Sequence, residues 1–327
     1  MPGEPNLVSV LIPAFNAEKY IRETLSSVAR QTHRELEIIV VDDGSSDGTA
    51  ALLQEFSRSE PRLRCYRQPN QGVAAARNFA LSIASGEYVA PIDADDLWHP
   101  RKIEAQLRTM LTEGPAVGLV YSWMCTISDA GYAIDFNRPR EEGASSPLTR
   151  LAETNFVGCA SVPLMRTAAV REVGGYDTSL REARAEGCED YDLYLKLAER
   201  WSFALVPDYL VGYRRSPASM STNVWKMRRS HERVMQNLRR RRPDIPSPAI
   251  TTSFRRMGFR LAVNCIREGQ LLTGAAVAGS VLGSDPLAPF RRDTMRYAKR
   301  IAGEFIPAFK TPIEGDLEGR RFPFGSP

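Results

Sequence analysis

Two short acidic segments combine residue types that could bind a metal ion or a phosphate-bearing ligand. Asp42 and Asp43 open a turn rich in Gly and Ser, and the segment Asp93 to Asp96 holds three carboxylates in four residues. Carboxylates this close repel one another unless a cation or hydrogen-bond donors neutralise them. Mg²⁺ or Mn²⁺ would do so, since each takes oxygen ligands, commonly one or two carboxylates plus substrate phosphates. The alternative for both segments is a polar turn that caps the following helix.

Two cationic segments could hold a phosphate group. Gln71 to Asn78 opens a predicted helix with glycine and small residues and carries Arg77, and helix N-termini favour anions. Arg77 could equally pair with the nearby acids. Arg214 to Ser221 is a cationic, hydroxyl-rich segment that could hold a pyrophosphate and close over it. Its alternative is a flexible surface linker.

An acidic pair, Glu189 and Asp190, directly precedes a predicted amphipathic helix. Removing the proton from a hydroxyl nucleophile needs one carboxylate aimed at that hydroxyl, so the pair could supply a general base. Alternatively, both acids cap the helix and interact favourably with its dipole.

These segments lie within a repeating pattern of strands and helices. Short apolar runs alternate with stretches whose apolar residues recur at helical spacing, which predicts a parallel sheet with right-handed crossovers. Pro91 cannot donate to a sheet, so we place the end of the fourth strand there. The acids then lie at the carboxyl edge of the sheet, where open α/β folds bind ligands. The predicted strands cover 8–12, 38–41, 63–67, 87–90, 117–124, 162–165 and 203–206, and Asn16 and Asp47 are the predicted caps of the first two helices.

Composition excludes several classes of protein. The chain has 327 residues, of which 43% are hydrophobic and 25% charged, so it is long enough for a large core and typical of globular proteins. A net charge of +4 is too small to indicate general nucleic-acid binding. Five scattered cysteines without a C-x-x-C pair argue against a disulfide framework or a zinc site. No signal peptide and no apolar stretch of spanning length is visible, which predicts a cytoplasmic protein.

The motifs taken together resemble family 2 glycosyltransferases with the GT-A fold. The resemblance rests, in chain order, on VSVLIPAFN at 8–16, VVDDGSSDGT at 40–49, NQGVAAARN at 70–78, PIDADD at 91–96, GGYD at 174–177 and CEDYDLYLKL at 188–197. It extends to about residue 221. It implies an α/β fold with a Rossmann-like, mostly parallel sheet flanked by helices and a helical C-terminal extension. We therefore expect a nucleotide-sugar-binding and catalytic domain over 1–222 and a basic, mostly helical region over 223–327.

The resemblance also implies roles for individual residues at the nucleotide end of the site. Pro13, Phe15, Asp42 and Asp43 would hold the base and ribose of a nucleotide-sugar, with Asp43 taking the uracil imide proton if the donor is a UDP-sugar. Arg77 would lie beside the nucleotide.

For the reacting end, the resemblance implies a metal site and a base. Asp93 and Asp95 match the D-x-D pair that binds Mn²⁺ or Mg²⁺, with Asp95 as the direct ligand and Asp93 as a ribose or water-mediated contact. Asp190 matches the catalytic base of inverting members, and Glu189 would contact the sugar or acceptor. The loop that closes on the pyrophosphate would contribute Arg214, Ser219 and Ser221. Relatives often carry a histidine in that loop, where this chain has Ser216, so a histidine ligand is not expected.

The resulting hypothesis is an inverting enzyme that transfers a sugar from a nucleotide-sugar, with a UDP-sugar as the preferred donor. The sugar would go to a hydroxyl group of a glycan, of a lipid-linked acceptor or of another acceptor. Residues 155–161 and 136–148 would border the acceptor. The alternative is a non-catalytic nucleotide-sugar-binding or scaffold protein on the same fold, because a fold does not guarantee activity.

The region from Asn223 onward is basic and helical, with an arginine run from Arg239 to Arg242. One interpretation is peripheral contact with anionic lipid on the inner face of the membrane, or with a lipid-linked acceptor. The other is a solvated helix that packs on the catalytic domain or on another subunit. No RNA-binding motif or helix-turn-helix pattern accompanies the arginines, so nucleic acid is not an expected partner.

Overall fold

The computed structural model describes residues 6–139, 146–216, 222–267, 269–291, 294–295, 317 and 319–324. Its first part follows the predicted alternation. The elements are β1 (Val8–Ala14), α1 (Ile21–Ala29), β2 (Leu36–Asp42), α2 (Thr49–Ser57), β3 (Leu63–Arg67), α3 (Val73–Ile83) and β4 (Tyr88–Pro91). β1 pairs in parallel with β2 and β4, and β2 pairs in parallel with β3. Every residue of β1 and β2 is buried, as expected for central strands covered on both faces.

The second part extends the same sheet but mixes strand directions. Its elements are β5 (Leu97–Trp98), α4 (Lys102–Glu113), β6 (Val117–Ile127), β7 (Ala133–Asn137), α5 (Pro147–Glu153), β8 (Leu164–Arg166), α6 (Thr167–Glu172), α7 (Ser179–Glu182), α8 (Glu189–Ala198) and β9 (Ser202–Arg214). The strand order is β3-β2-β1-β4-β8-β6-β9-β5, with β7 on β6. β8 runs antiparallel to both β4 and β6. β6 and β9 continue past the predicted ends at 124 and 206, because they pair in parallel along nearly their whole length.

The loops after β1 and β2 are hydrogen-bonded to each other at the carboxyl edge of the sheet. Asn16 has φ of 48° and its Oδ1 accepts from the backbone N–H of Ser46 at 2.9 Å. Asn16 therefore stabilises this loop pair, and the prediction that it caps α1 is wrong, since α1 begins at Ile21. Asparagine tolerates the left-handed conformation better than most residues. Asp47 does hold the start of α2, by accepting from the N–H of Thr49 at 3.0 Å.

Three helices follow the sheet: α9 (Val224–Arg241), α10 (Ser247–Arg267) and α11 (Leu271–Ser284). Pro248 lies in the first turn of α10, where its missing N–H leaves no helical bond unmade, so it does not break the helix. Within the described residues, no helix is both long and apolar enough to span a membrane.

The C-terminal helices share one hydrophobic core with the sheet. Leu238 of α9 and Leu261 of α10 are buried in the same cluster as the central strands. Arg241 of α9 pairs with Asp192 at 3.3 Å and with Glu199 at 2.9 Å. Residue 222 is therefore not a boundary between separate cores, and this arrangement agrees with the interpretation in which the basic region packs on the catalytic domain.

The end of the chain returns to the β6–β7 hairpin, which the sequence pattern did not predict. The N–H of Ala133 donates to the carbonyl of Arg320, and the N–H of Phe322 donates to the carbonyl of Gly131, both at 2.9 Å. Phe322 is buried against Leu97 and its neighbours in a second, smaller cluster. This segment covers the side of the hairpin.

Candidate active site

A cavity of about 940 Å³ opens at the carboxyl ends of β1 and β4. Its walls include the segment after β1, the segment after β4, the start of α8 and one side of α10. The volume is in the range of small-molecule sites. β2 and β4 lie on opposite sides of β1, so the cavity is at the point where the strand order reverses, as is usual for ligands of open α/β sheets.

The two acids at the end of β2 have different environments. Asp43 lines the cavity and accepts from Gln68 Nε2 at 2.7 Å and from the N–H groups of Gln71 and Gly72 at 2.8 Å. Asp42 is buried beneath the turn, accepts from the N–H of Ser45 at 2.8 Å and is not among the lining residues. Asp42 therefore shapes the turn, and its location gives no support to the predicted nucleotide contact.

Glycine at position 72 allows this arrangement. Gly72 donates its N–H to Asp43 and has φ of 90°, a backbone conformation that is unfavourable for other residues. A Cβ atom there would approach Arg181 Nη1 to 2.6 Å. Pro13 and Phe15, which follow β1, line the cavity near this turn, and the Phe15 side chain is 52% exposed.

The three acids after β4 also separate into cavity-lining and buried groups. Asp93 and Asp95 line the cavity, whereas Asp96 is fully buried and accepts from the N–H of Arg214 at 2.7 Å and from Ser161 Oγ. Burial and the neighbouring Asp93 raise the pKa of Asp95 to about 7. In the described parts of the chain no side chain donates a hydrogen bond to the Asp95 carboxylate. Asp95 is thus the carboxylate of this group that still needs neutralising.

Arg77 joins the D-x-D segment to the acidic pair of α8. Its Nη2 donates to Asp93 Oδ1 and its Nη1 donates to Glu189 Oε1 at 2.9 Å, with the guanidinium packed over the Tyr176 ring. The Arg77 side chain is only 2% exposed. The two carboxylates raise the pKa of Arg77 against the effect of burial. Arg77 therefore holds two acids of the site in place and, although it lines the cavity, both ends of its fork are already bound.

Asp190 is the acid of this pair whose carboxylate is not held by Arg77. α8 begins at Glu189, which accepts from Arg77 and from the N–H of Gly187 at 3.0 Å. Asp190 lines the cavity, and its Oδ1 accepts only from the N–H of Tyr191 among the described residues. Burial first, and Glu189 second, raise the pKa of Asp190 to about 7. A carboxyl group with such a pKa in a cavity can accept and release a proton near neutral pH.

Residues 9–174, just over half of the chain, match the model of Glycosyl transferase family 2. The chain belongs to this family. A characterised relative, the UDP-Glc:alpha-D-GlcNAc-diphosphoundecaprenol beta-1,3-glucosyltransferase WfgD of Escherichia coli, is 31% identical over 222 residues. That alignment covers 67% of this chain and 81% of WfgD. The family resemblance inferred from the motifs is confirmed.

The fold of this glycosyltransferase is also found in solved structures. S. aureus TarS 1-349 in complex with UDP-GlcNAc matches 94% of this chain and 83% of its own, with a TM-score of 0.57 and 18% identity. The mannosyltransferase PcManGT of Pyrobaculum calidifontis, in complex with GDP-Man and Mn²⁺, matches 92% of this chain and 85% of its own, with a TM-score of 0.55 and 18% identity. The predicted GT-A fold with a helical C-terminal region is confirmed.

Arg214 occupies a different place in this glycosyltransferase from the one expected. Its buried side chain donates to the carbonyl of Asp95 and to Glu23 Oε2, each at 2.7 Å, and to the carbonyl of Asp129. It therefore holds the D-x-D segment from the side away from the cavity, and this location gives no support to the predicted pyrophosphate contact. Its neighbour Arg215 lines the cavity instead. Ser219 and Ser221, the other predicted members of the loop, lie outside the described residues.

Several residues of the cavity were missed by the motif analysis. Arg260 and Asn264 of α10 lie on the wall beside the residues of α8, in a part of the chain where no family motif was quoted. The available signal was the four-residue spacing of Arg256, Arg260 and Asn264, which puts all three on one face of a helix.

Asn155 and Cys159 also line the cavity, as expected for residues 155–161, and Asn137 does so from β7.

The carboxylates of Asp93 and Asp95 suit a divalent cation that is bound by the protein and the substrate together. No cluster of three or more His, Cys, Asp or Glu side chains that could hold a metal occurs among the residues that the structure describes. Within the described residues, Asp95 and Asp93 thus provide two carboxylates and no third ligand of these types accompanies them. Mg²⁺ and Mn²⁺ are commonly held by one or two carboxylates plus substrate phosphates, so this donor set suits such a cation.

Proposed function

We propose that this family member is an inverting glycosyltransferase that moves a sugar from a UDP-sugar to a hydroxyl group, with Asp190 as the general base. The observation that carries the proposal is that the Asp190 carboxyl lines the same cavity as Asp95 and Asp93 and has a pKa raised to about 7. A base with such a pKa is effective near neutral pH.

The turn after β2 supports a role in binding the nucleotide. The Asp43 carboxylate accepts three hydrogen bonds, which leaves room for one further donor among its roughly four lone-pair sites. The imide N–H of uracil is such a donor. The half-exposed ring of Phe15 provides a surface against which a base can stack. Arg215, at the end of β9, is the cation of that segment that lines the cavity and would contact the diphosphate.

Asp95, with Asp93, would hold Mn²⁺ or Mg²⁺ together with the diphosphate oxygens. Such a cation, when bound, stabilises negative charge on the departing nucleoside diphosphate. Burial and Asp93 raise the pKa of Asp95. A raised pKa is expected for a carboxylate that is neutralised only when a cation binds together with the substrate.

The proposed reaction is a single displacement. Asp190 removes the proton from the acceptor hydroxyl while the oxygen attacks the anomeric carbon, and the bond from that carbon to the diphosphate oxygen breaks. Attack from the face opposite the leaving group inverts the anomeric configuration. Arg77 assists by holding Glu189 and Asp93 around the reacting region.

The direct test is a calorimetric titration of the purified protein with UDP, GDP, CDP and dTDP, each with Mn²⁺ and with EDTA. We expect UDP to bind in Mn²⁺ and to bind about tenfold or more weakly in EDTA, because carboxylate and diphosphate would otherwise repel. Asp95→Asn should abolish this difference between Mn²⁺ and EDTA. If another nucleotide bound instead of UDP, the donor would be a sugar carried by that nucleotide. If the folded protein bound none of the four, the non-catalytic alternative would be favoured.

The pH dependence of activity follows from the environment of Asp190. Burial, Glu189 and Asp93 raise its pKa while Arg77 lowers it, and the resulting value is about 7. The base works only when ionised, so hydrolysis of a UDP-sugar should rise from pH 6 to pH 8 with its midpoint near 7. The measurement is UDP release from UDP-glucose or UDP-GlcNAc without acceptor. A rate that stayed flat or fell over this range would contradict the assignment.

For the acceptor, we propose a glycan or a lipid-linked glycan. WfgD, by its name, acts on a sugar carried by diphosphoundecaprenol, and this chain covers 81% of WfgD. A lipid-linked acceptor would bring the enzyme to a membrane surface. Arg239 and Arg240 of α9 are exposed, as are Leu272 of α11 and Phe290 beyond it. Exposed basic and apolar side chains both favour peripheral contact with anionic lipid.

Sedimentation with liposomes tests this contact. We expect binding to vesicles that contain phosphatidylglycerol, little binding to phosphatidylcholine alone, and a decrease with salt because the attraction is screened. Arg239→Glu with Arg240→Glu should remove most of the binding. If the wild type failed to sediment with anionic vesicles even at low salt, α9 would be only a packing helix.

A further inference from the structure

The α10 wall of the cavity carries an arginine that has no carboxylate partner among the described residues. Arg260 lines the cavity, and its recorded side-chain contact is from Nη2 to Met257 Sδ at 2.9 Å. No carboxylate forms an ion pair with Arg260 in the part of the chain that the structure describes. By contrast, Arg255 of the same helix pairs with Asp285 at 3.1 Å and Arg256 pairs with Glu153 at 3.5 Å.

Arg260 lines the same cavity as the proposed base and lies near the residues that flank the acidic pair. Burial raises the pKa of Cys188 and of Tyr191, and the positive charge of Arg260 partly opposes this rise. Both residues flank the acidic pair on α8 and line the cavity. The residues proposed to bind the nucleotide base follow β1 and β2, whereas Arg260 belongs to α10, which packs against α5, α9 and α11. The wall with Arg260 therefore borders the region where an acceptor hydroxyl must approach Asp190.

Polar groups beside Arg260 complete a site for an anion. Asn264 is one helical turn further along α10 and also lines the cavity, and its Oδ1 accepts from Arg215 Nη1 at 3.4 Å. The Arg260 guanidinium and the Asn264 amide thus lie on this wall, next to Arg215, which is proposed to contact the diphosphate. A guanidinium binds carboxylate or phosphate oxygens through paired, charge-assisted hydrogen bonds, which are stronger than neutral ones.

We propose that Arg260 binds a negatively charged group of the acceptor, a carboxylate or a phosphate, and thereby selects anionic acceptors. This inference rests on the proposed function, because it takes the acceptor to lie next to Asp190. It extends that function by naming the chemical class of the acceptor and a residue that determines specificity. The uncompensated charge at the cavity wall is neutralised when the substrate is bound.

The test measures binding of matched acceptor pairs by calorimetry to the full chain saturated with UDP and Mn²⁺. p-Nitrophenyl β-D-glucuronide and p-nitrophenyl β-D-glucoside differ by a carboxylate, and GlcNAc linked to octyl diphosphate differs from octyl GlcNAc by its phosphates. We expect at least one anionic probe to bind about tenfold or more tightly than its neutral partner. The pair that shows the preference identifies carboxylate or phosphate as the recognised group.

Variants assign the preference to Arg260. Arg260→Met should abolish it, Arg260→Lys should retain part of it, and Arg256→Met, on the same helix but outside the cavity lining, should leave it unchanged. A preference that persisted in Arg260→Met, or no preference in the wild type for either pair, would overturn the inference.

The UDP titration separates this inference from the function on which it rests. UDP affinity should stay within about twofold in the Arg260 variants, since the arginine contacts the acceptor. If Arg260→Met weakened UDP binding instead, Arg260 would be a donor-phosphate contact and the acceptor assignment would be wrong. If UDP did not bind to the wild type at all, the proposed function would fail, and this inference with it.

Discussion

Replacing Asp190 with asparagine should lower kcat for sugar transfer or donor hydrolysis about 10²- to 10⁴-fold, the usual contribution of a positioned general base. Asparagine keeps the size of the side chain and can still accept from the N–H of Tyr191, which holds the Asp190 carboxylate at 2.7 Å. It cannot take a proton. Donor binding should stay within about twofold, because the residues proposed to hold the nucleotide are elsewhere in the cavity.

The measurement is UDP release under donor saturation, with UDP affinity determined in parallel. Asp208→Asn is a matched control, since Asp208 is an exposed acid of β9 that pairs only loosely, at 3.8 Å, with Arg101. Near-normal turnover in Asp190→Asn would show that the base is another group. A joint loss of turnover and UDP affinity would instead indicate that the substitution disturbs the whole site.

Replacing Arg77 with methionine should destabilise the protein by about 3 kcal/mol and also abolish most activity. The guanidinium is buried between Asp93 and Glu189, so its removal leaves two carboxylates, one of them well buried, without their cation. Breaking a buried pair by removing one partner is costly because the remaining charge is uncompensated. Asp93 is 30% exposed, which reduces the penalty on its side.

Urea unfolding measures this effect, with Arg22→Met as the control. Arg22 pairs with Glu55 at 2.6 Å, but both side chains are more than half exposed, so its loss should cost at most about 1 kcal/mol. If the two variants were equally stable, Arg77 would not be the structural link between the D-x-D segment and α8. Arg77→Lys should be intermediate, because one ammonium cannot reproduce a fork that reaches both carboxylates.

The pH profile of Arg77→Met provides a second readout that loss of stability alone would not produce. Arg77 favours the ionised form of Asp190 and so lowers its pKa, against the effects of burial and Glu189. Without Arg77 the pKa of Asp190 should rise, and the residual activity should need a higher pH than in the wild type. A profile with an unchanged midpoint would show that Arg77 has no electrostatic effect on the base.

The sequence by itself determined the family, the fold class and the placement of the acids at the carboxyl edge of the sheet. Asp43, Asp93, Asp95, Glu189 and Asp190 all line one cavity, although up to about 150 residues separate them in the chain. This was predictable because buried strands carry a continuous apolar signal, and parallel pairing brings the residues after them to one edge. The roles of these residues remain proposals.

Only the tertiary structure decided which charged side chains face the cavity. Arg214 and Arg215 are adjacent in sequence, yet one side chain is buried behind Asp95 and the other lines the cavity. Strand neighbours point to opposite sides of a sheet, so their assignment depended on where β9 ends and how it pairs with β6.

The structure also decided where the C-terminal helices pack. The charge pattern of the basic C-terminal region was compatible with a membrane surface or with packing, and packing of α10 through Leu261 is what brings Arg260 beside the residues of α8. A local pattern indicates that a helix has an apolar face but not what that face packs against, because the partner lies far away in the chain and the contact forms only when both elements fold.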